Sequence, residues 1–416
     1  MTPDCGYGPF PTRRRRRGAL TFFLTTALGT GLGTVLLLVF TAGSGSGLPR
    51  GNAGPTPAGS GPPLARSERD IIARVKPGVV IIDTMLQYDS EAAAGTGVVL
   101  NSHGLVLTNN HVIQNSTSIT ATVPSTGKTY TAHVVGYDKT GDVALIQLQN
   151  ASGLATVPFG DSSSVKPGQA VVALGNANGA NVVSMAPGQV TEVGQTITAS
   201  DDAGSSSTET LHGMIQTNAD IVAGDSGGPL SNSGGVIGMD TAGSDPSSQQ
   251  ATGFAIPINA ALAIARQITA DRASATVAIG YPSFMGIFIG AGSDSNPQNQ
   301  AKQQQQQPQQ QQPQPGSSGE APCASNNADL GAPTAIAPVS SGVLVVGSIC
   351  GSPAAQVGMT SGAVITAVNR HAVGSPDDLS RALARFRPGD AVSVTWVSPT
   401  GRRTTSTLRL SAGPPQ

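Results

Sequence analysis

A mainly β core followed by a smaller α+β module is the fold class that this sequence of 416 residues predicts, and three observations carry it. Short apolar runs broken by turn residues fill the stretch from about Glu68 to Ala270, at irregular spacing, as in a barrel or sandwich. Gly, Ser, Thr, Ala and Val dominate that stretch, and long Leu/Glu/Lys helical patterns are missing. After residue 342, strand and helix signals alternate over a compact segment. The length asks for two or three modules.

In chain order, residues 1–18 form a basic N-terminus containing Arg13 to Arg17, and 19–40 (ALTFFLTTALGTGLGTVLLLVF) are 22 residues without a charge. That run is long enough to span a bilayer. The positive-inside rule puts the arginines in the cytoplasm and everything after Phe40 outside. A secretory signal peptide has an apolar region of about 7 to 15 residues, so a retained single-pass anchor in the cell membrane is the favoured reading. Cleavage in TAGSGSG, just after Phe40, is the alternative and would release residues 1 to about 45, giving a secreted protein.

Residues 41–67 are mostly Gly, Pro, Ser and Ala and are predicted to be a disordered linker. The strands of the core, 68–270, are read from GVVII (78 to 82), GTGVVL (95 to 100), GLVLTNN (104 to 110), VALIQL (143 to 148), QAVVALG (169 to 175) and GGVIGM (234 to 239). A helix over Asn259 to Ile268 closes it. The stretch 292–320 contains QQQQQPQQQQPQP and is predicted to be a disordered insertion. Beyond it come GVLVVGSIC (342 to 350), a small helix near PAAQVGM, a strand AVITAVN, an amphipathic helix PDDLSRALARF and a strand AVSVTWVS.

Charge excludes one class of function. Arg13 to Arg17 and Arg50 hold six of the 23 basic residues and Asp4 is the one acid before residue 51, so the remainder carries 17 basic against 23 acidic residues. No basic face is left for a nucleic acid. Neither His/Cys clusters nor phosphate-binding glycine loops occur, so no metal and no cofactor is expected. Three cysteines are too few for a disulfide framework, but Cys323 and Cys350 both fall outside the membrane, where pairing is permitted, and Cys5 does not.

Acyl transfer by a serine needs a base beside the hydroxyl, a carboxylate orienting that base, and N–H groups aimed at the developing oxyanion. His111 lies in LTNNHVI, where a strand ends in Asn and opens a helical turn, and Asp142 lies in GDVALIQL at the start of an apolar strand. Ser226 lies in GDSGGPL, where glycines let the chain turn tightly enough for the amides of Gly224, Asp225 and Ser226 to serve as an oxyanion hole. The order is His, Asp, Ser with intervals of 31 and 84 residues. The other histidines lack such a motif: His103 reads as a turn residue, His133 as a strand residue, His212 as a loop residue, and His371 falls in the C-terminal module. Asp138 and Asp161 read as turn and loop acids. Gly224 to Gly228 also fits the G-x-S-x-G elbow of α/β hydrolases, but that fold places its histidine after the serine and alternates strands with helices.

On these motifs, on IQTNADIVAGDSGGPL (215 to 230) and on GFAIPI (253 to 258), the chain resembles chymotrypsin-fold serine proteases of the HtrA/DegP type, and among them an actinobacterial PepA-like group. The resemblance covers about residues 68 to 412 and implies a double six-stranded β-barrel with the triad in the cleft. It further implies a shallow apolar S1 pocket, for which Ile221, Gly253, Phe254 and Ala255 are the candidate walls. Asp220, six before the serine, is where trypsin-like enzymes place an acid that selects basic side chains, so small aliphatic and basic P1 residues both stay open. The polar segment 199–210 falls where such enzymes keep an activation loop and equally fits plain surface. The family usually has Asn before the nucleophile, whereas this chain has Asp225; residues 167 to 265 contain no Lys or Arg, so backbone amides or water are expected to hold it.

The C-terminal segment resembles a bacterial PDZ domain, 284–412, interrupted by the Gln/Pro-rich insertion. Phe284, Met285, Gly286 and Ile287 then match the loop that receives a peptide's C-terminal carboxylate. Taken together, the expected protein is a membrane-anchored extracytoplasmic serine endopeptidase acting on unfolded or damaged polypeptides, with peptide C-termini as partners of the PDZ domain. The resemblance also implies a homotrimer. A chaperone-like or scaffold protein with a latent protease site is the rival reading.

Overall fold

The computed structural model describes residues 64–415 apart from 87–90, 201–207, 243–251, 291–294, 307–322 and 326–332. The basic N-terminus, the apolar run 19–40, nearly all of the linker, most of the expected activation loop and most of the glutamine tract lie outside the described residues. Among the described residues no helix is long and apolar enough to cross a membrane.

Two barrels form the core. The first uses β1 (Val79–Leu86), β2 (Glu91–Val99), β3 (Leu105–Thr108), β4 (Ser118–Val123), β5 (Lys128–Asp138) and β6 (Val143–Leu148), paired β5-β4-β1-β2-β3-β6 and closed by β5 on β6. The second uses β7 (Ala170–Gly175), β8 (Ser184–Ser200), β9 (Thr208–Thr217), β10 (Pro229–Asn232), β11 (Gly235–Ala242) and β12 (Gly253–Pro257), closed in the order β10-β11-β12-β9-β8-β7.

Strand alternation separates the cores. In β7, Val171 and Ala173 join Ile215, Leu230 and Ile237 inside the second barrel, while Val172 and Leu174 face the other way and pack with Ile81, Leu107 and Leu145. That shared cluster welds the barrels together; Ile82, Val106 and Ile146 fill the first barrel alone. The helix α1 (Arg66–Val75) adds Ile71 and Val75 to the shared cluster, and its first turn is held by the Glu68 carboxylate accepting the Ala65 N–H at 2.7 Å. The one-turn helix α2 (Asn110–Ile113) leaves β3, and α3 (Ile258–Thr269) buries Ile258, Ala261, Ala265 and Ile268 along one face. The strand β13 (Val277–Ile279) then adds to β5.

The C-terminal module is a sheet ordered β15 (Ile287–Ile289), β16 (Val343–Ser348), β17 (Val364–Val368), β19 (Ala391–Val397), β20 (Arg403–Arg409), with β18 (His371–Ala372) on β17. The helix α6 (Pro376–Leu383) and the short α5 (Pro353–Gln356) cover it, and Met285, Val345, Ile365, Leu379, Val394 and Trp396 form its core. A two-residue ribbon joins β14 (Ser283–Phe284) to β21 (Ser411–Ala412). Past this ribbon, the Pro415 carbonyl accepts the Asn115 N–H at 2.8 Å, just beyond α2 of the first barrel.

One feature differs from expectation. Part of the stretch 292–320 is a helix, α4 (Pro297–Gln306), because the fully buried Gln300 side chain donates to the Gly342 carbonyl and accepts from the Leu344 N–H, both at 2.8 Å. An amide side chain carries both a donor and an acceptor, so it continues the ladder of β16 as another strand would. Cys323 and Cys350 are joined in a disulfide, and both lie after the tract, so the ring closes residues 323 to 350 and does not enclose the tract. Ala324 bridges Ile349 beside it, which fixes the chain's return to the end of β16.

Candidate active site

The acid is set by backbone geometry. Asp142 occupies the left-handed region at φ 48° ahead of β6, where its short side chain turns back toward α2. It is 1% exposed and its partners are complete: the His111 N–H donates to Oδ1 at 3.0 Å, the Thr241 hydroxyl to Oδ2, and the Asn109 amide to the Asp142 carbonyl at 2.9 Å. The His111 ring nitrogen Nδ1 stands 2.9 Å from Oδ2 and 3.1 Å from Oδ1. A ring nitrogen facing a carboxylate carries the proton, so Nε2 is left with its lone pair. The histidine stays about a quarter exposed while its partner is sealed off.

Ser226 comes from the other barrel. Its turn needs positive φ at Gly224 (92°) and Gly227 (85°), and a Cβ at these positions would meet the Asn176 carbonyl at 2.3 Å and the Thr96 carbonyl at 2.0 Å. Thr96 of β2 ties that turn to the first barrel: its N–H donates to the Ser226 carbonyl at 2.8 Å and its hydroxyl to the Gly224 carbonyl at 2.7 Å. The Ser226 hydroxyl donates to the Thr241 carbonyl at 3.3 Å. One residue of β11 therefore touches both the serine and the acid that orients the histidine.

The three amides expected to form an oxyanion hole are not equivalent. The Asp225 N–H is taken by the Val222 carbonyl at 3.0 Å, a turn bond that removes it as a donor to a ligand. Among the described residues, the N–H groups of Gly224 and Ser226 donate to no backbone carbonyl, and both belong to the Ser226 turn.

Asp225 is buried against Gly175, with the Val222 N–H on Oδ2 at 3.1 Å. Loss of water pushes its carboxyl up to about 6, with Asp220 adding to the rise and the Val222 N–H opposing it. The candidate pocket residues lie on adjoining elements: Ile221 Cδ1 sits 2.6 Å from where a Cβ of Gly253 would stand, Ala255 is fully buried, Phe254 half-buried and Asp220 exposed. In the C-terminal module, Gly286 takes φ 73° between β14 and β15, and its carbonyl accepts from the Ser352 hydroxyl and the Ile349 N–H. Met285 is buried there, while Phe284 and Ile287 are half-buried.

His111, Asp142 and the turn of Ser226 were readable because each sits in a short motif. Thr96 and Thr241 were not: their contacts cross 128 and 99 residues, and the only local trace of Thr96 is a threonine between two glycines.

The family model described as a trypsin-like peptidase domain matches residues 95–239, which include His111, Asp142 and Ser226. The chain is similar to the serine protease PepD of Mycobacterium tuberculosis, at 29% identity over 99% of this chain and 81% of that protein. It is also similar to the mitochondrial serine protease HTRA2 of Bos taurus (33% identity, 53% of this chain, 48% of that protein). A third relative is the periplasmic serine endoprotease DegP of Escherichia coli (34% identity, 42% of this chain, 35% of that protein). Thus the chain spans most of the mycobacterial protein and half or less of the other two.

Proposed function

We propose that this chain, which is similar to HtrA-type trypsin-like serine proteases, is a membrane-tethered, extracytoplasmic endopeptidase for unfolded polypeptides. In this reading His111, Asp142 and Ser226 are the catalytic triad. The observation that carries it is the His111 ring held by its Nδ1–H on the buried Asp142 carboxylate, with Nε2 left basic.

The chemistry follows from those positions. The Ser226 hydroxyl leaves the Thr241 carbonyl, gives its proton to Nε2, and Oγ adds to the substrate carbonyl. The negative oxygen is received by the N–H groups of Gly224 and Ser226. The imidazolium, stabilised by Asp142, protonates the leaving amine as the C–N bond breaks; water then repeats the sequence on the acyl-enzyme and frees Ser226.

Ile221, Gly253, Phe254 and Ala255 are the walls of an apolar S1 pocket, so cleavage is expected after Val, Ala or similar small side chains. A peptide library checks this; cleavage mainly after Arg or Lys, lost in Asp220→Ala, reverses the assignment.

Residues 284–412 are proposed as a PDZ domain, with the protease domain at 68–270. In support, β15 ends the sheet and pairs only with β16 among the described residues, so its other edge can take a peptide strand. The segment 284–287 leads directly into β15, and the Ser283 hydroxyl donates to the Leu383 carbonyl at the end of α6. An extracytoplasmic setting is supported by the disulfide and by the periplasmic naming of a relative. The anchor rests on the uncharged run 19–40. A homotrimer is the assembly that light scattering should find.

A second reading, a chaperone-like protein with a latent site, has one observation in its favour: a hydroxyl bonded to the Thr241 carbonyl is not at that moment bonded to His111. Incubating the full chain with casein beside its Ser226→Ala variant decides. Hydrolysis that disappears in the variant, with fluorophosphonate labelling confined to Ser226, supports the protease; hydrolysis retained by the variant overturns the triad.

A further inference from the structure

Asp240, the residue of β11 before Thr241, has no place in the chemistry above. It is fully buried, and neither carboxyl oxygen has a hydrogen-bond partner among the described residues. Asp225 Oδ1 is in the same condition. Three backbone bonds of 2.8 Å hold the two residues on either side of the Ser226 turn: Gly227 N–H to the Asp240 carbonyl, Gly228 N–H to the Asp225 carbonyl, and Asp240 N–H to the Gly228 carbonyl. An ionised carboxylate without water or a donor is strongly disfavoured, whereas a protonated one supplies a donor of its own. We propose that Asp225 and Asp240 share a proton in the folded protein at neutral pH, and that this proton makes Asp240 a positioning residue for the turn carrying Ser226. The functional half rests on Ser226 being the nucleophile.

The surroundings offer no competing cation. No Lys or Arg occurs between residues 167 and 265, and the strands flanking Asp240, β10 and β12, carry no titratable side chain. Of the helices packed on β11, α1 presents Arg66, Glu68, Arg69, Asp70 and Arg74, and α3 presents Arg266; Arg66 is exposed. Arg69 donates to the Leu64 carbonyl, and Arg74 to the carbonyls of Asp70 and Ser233. On the other side of Thr241 stand Asp142 and His111, bonded to each other, and behind Asp225 lies Asp220. Burial, and then the charge of Asp225, raise the Asp240 carboxyl well above the ordinary carboxylate range.

The sign of the linkage is fixed by these directions. Both groups bind protons more tightly folded than unfolded, so stability falls as pH rises from about 4, the unfolded value, through about 6 for Asp225 and higher for Asp240. Above the last of these the loss is complete and stability is level. Two buried like charges then repel each other across the turn.

Thermal midpoints from pH 5 to 9 test the shared proton, using the full chain as Ser226→Ala to prevent self-digestion, with Asp225→Asn, Asp240→Asn and the double variant. The parent midpoint should fall with pH, Asp240→Asn should flatten that fall, and the two single effects should not add. Parallel curves for parent and Asp240→Asn, or additive effects, overturn the proposal. Should Asp240→Asn not fold, infrared spectroscopy of the parent at pH 7 must still show a protonated carboxyl, reduced in Asp225→Asn; its absence overturns the proposal equally. The positioning half is read in the active protein: kcat/KM should decline several-fold less between pH 7 and 9 in Asp240→Asn than in the parent, and coincident profiles end it. These midpoints and spectra need no turnover, so a protein that fails to hydrolyse casein would sink the protease reading and leave the shared proton standing.

Discussion

Thr241 is placed to act on the histidine without touching it. Its hydroxyl bonds Asp142 Oδ2, on the carboxyl that holds the ring by Nδ1. Replacing it by valine keeps the shape and removes one donor to a buried charge, a loss of about 1.5–3 kcal/mol. Because that carboxylate matters most when the imidazolium forms, the effect belongs to the transition state: kcat of Thr241→Val should drop by about 10- to 100-fold with KM nearly unchanged. Steady-state kinetics on a small peptide amide checks it, and an equal rise in KM with kcat intact would contradict the assignment. The same residue shows what the sequence conceals. His111 and Ser226 advertise themselves because each sits in a local backbone feature, a strand end that opens a helical turn and a glycine turn, that leaves a written motif. Thr241 and Asp240 owe their roles to partners on the other barrel or across a turn, and only the pairing of β10 with β11 brings them there. Asp225 stood between: its lack of a cation was legible, but not the second acid beside it.

Among the elements, β16 has the most to hold. The buried Gln300 of α4 bonds to its start and the disulfide secures its end, so both ends of the glutamine tract return to one strand. Composition alone reads the tract as unable to bury apolar surface. It misses Gln300 because a glutamine with two backbone partners looks, in sequence, like any other glutamine. The barrels were more legible: burial from Val171 to Gly175 along β7 matches the apolar run read there. Replacing Cys323 and Cys350 by serine opens a ring spanning a separation of 27 residues, and should cost about 3 kcal/mol on the chain-entropy model. Denaturant unfolding of the double variant against the oxidised parent measures this, and indistinguishable midpoints would refute it. Peptide binding at the β15 edge should weaken more than hydrolysis of small substrates, since β15 pairs with the strand the disulfide anchors.

At the scale of the whole molecule, the segment after β20 joins parts that the sequence gives no reason to connect. Leu410 and Pro415 are buried, the Gly413 N–H donates to the Pro282 carbonyl, and the Asn115 N–H finds its acceptor in Pro415. Removing residues 411–416 should lower stability by about 2 kcal/mol, from the lost apolar burial and ladder bonds. It should also slow hydrolysis, because Asn115 follows the helix that carries His111. Calorimetry with a parallel rate measurement tests both, and a truncated protein with unaltered melting and turnover would show the segment to be idle.

That bond from Asn115 to Pro415 also sets an order of events on the ribosome. At about 5–20 residues per second, some 15 to 60 s of translation separate the two residues. During that interval β13, which pairs with β5 of the first barrel, is also still to come. The nascent chain thus carries Asn115, just past the helix of His111, long before the acceptor of its N–H has been made.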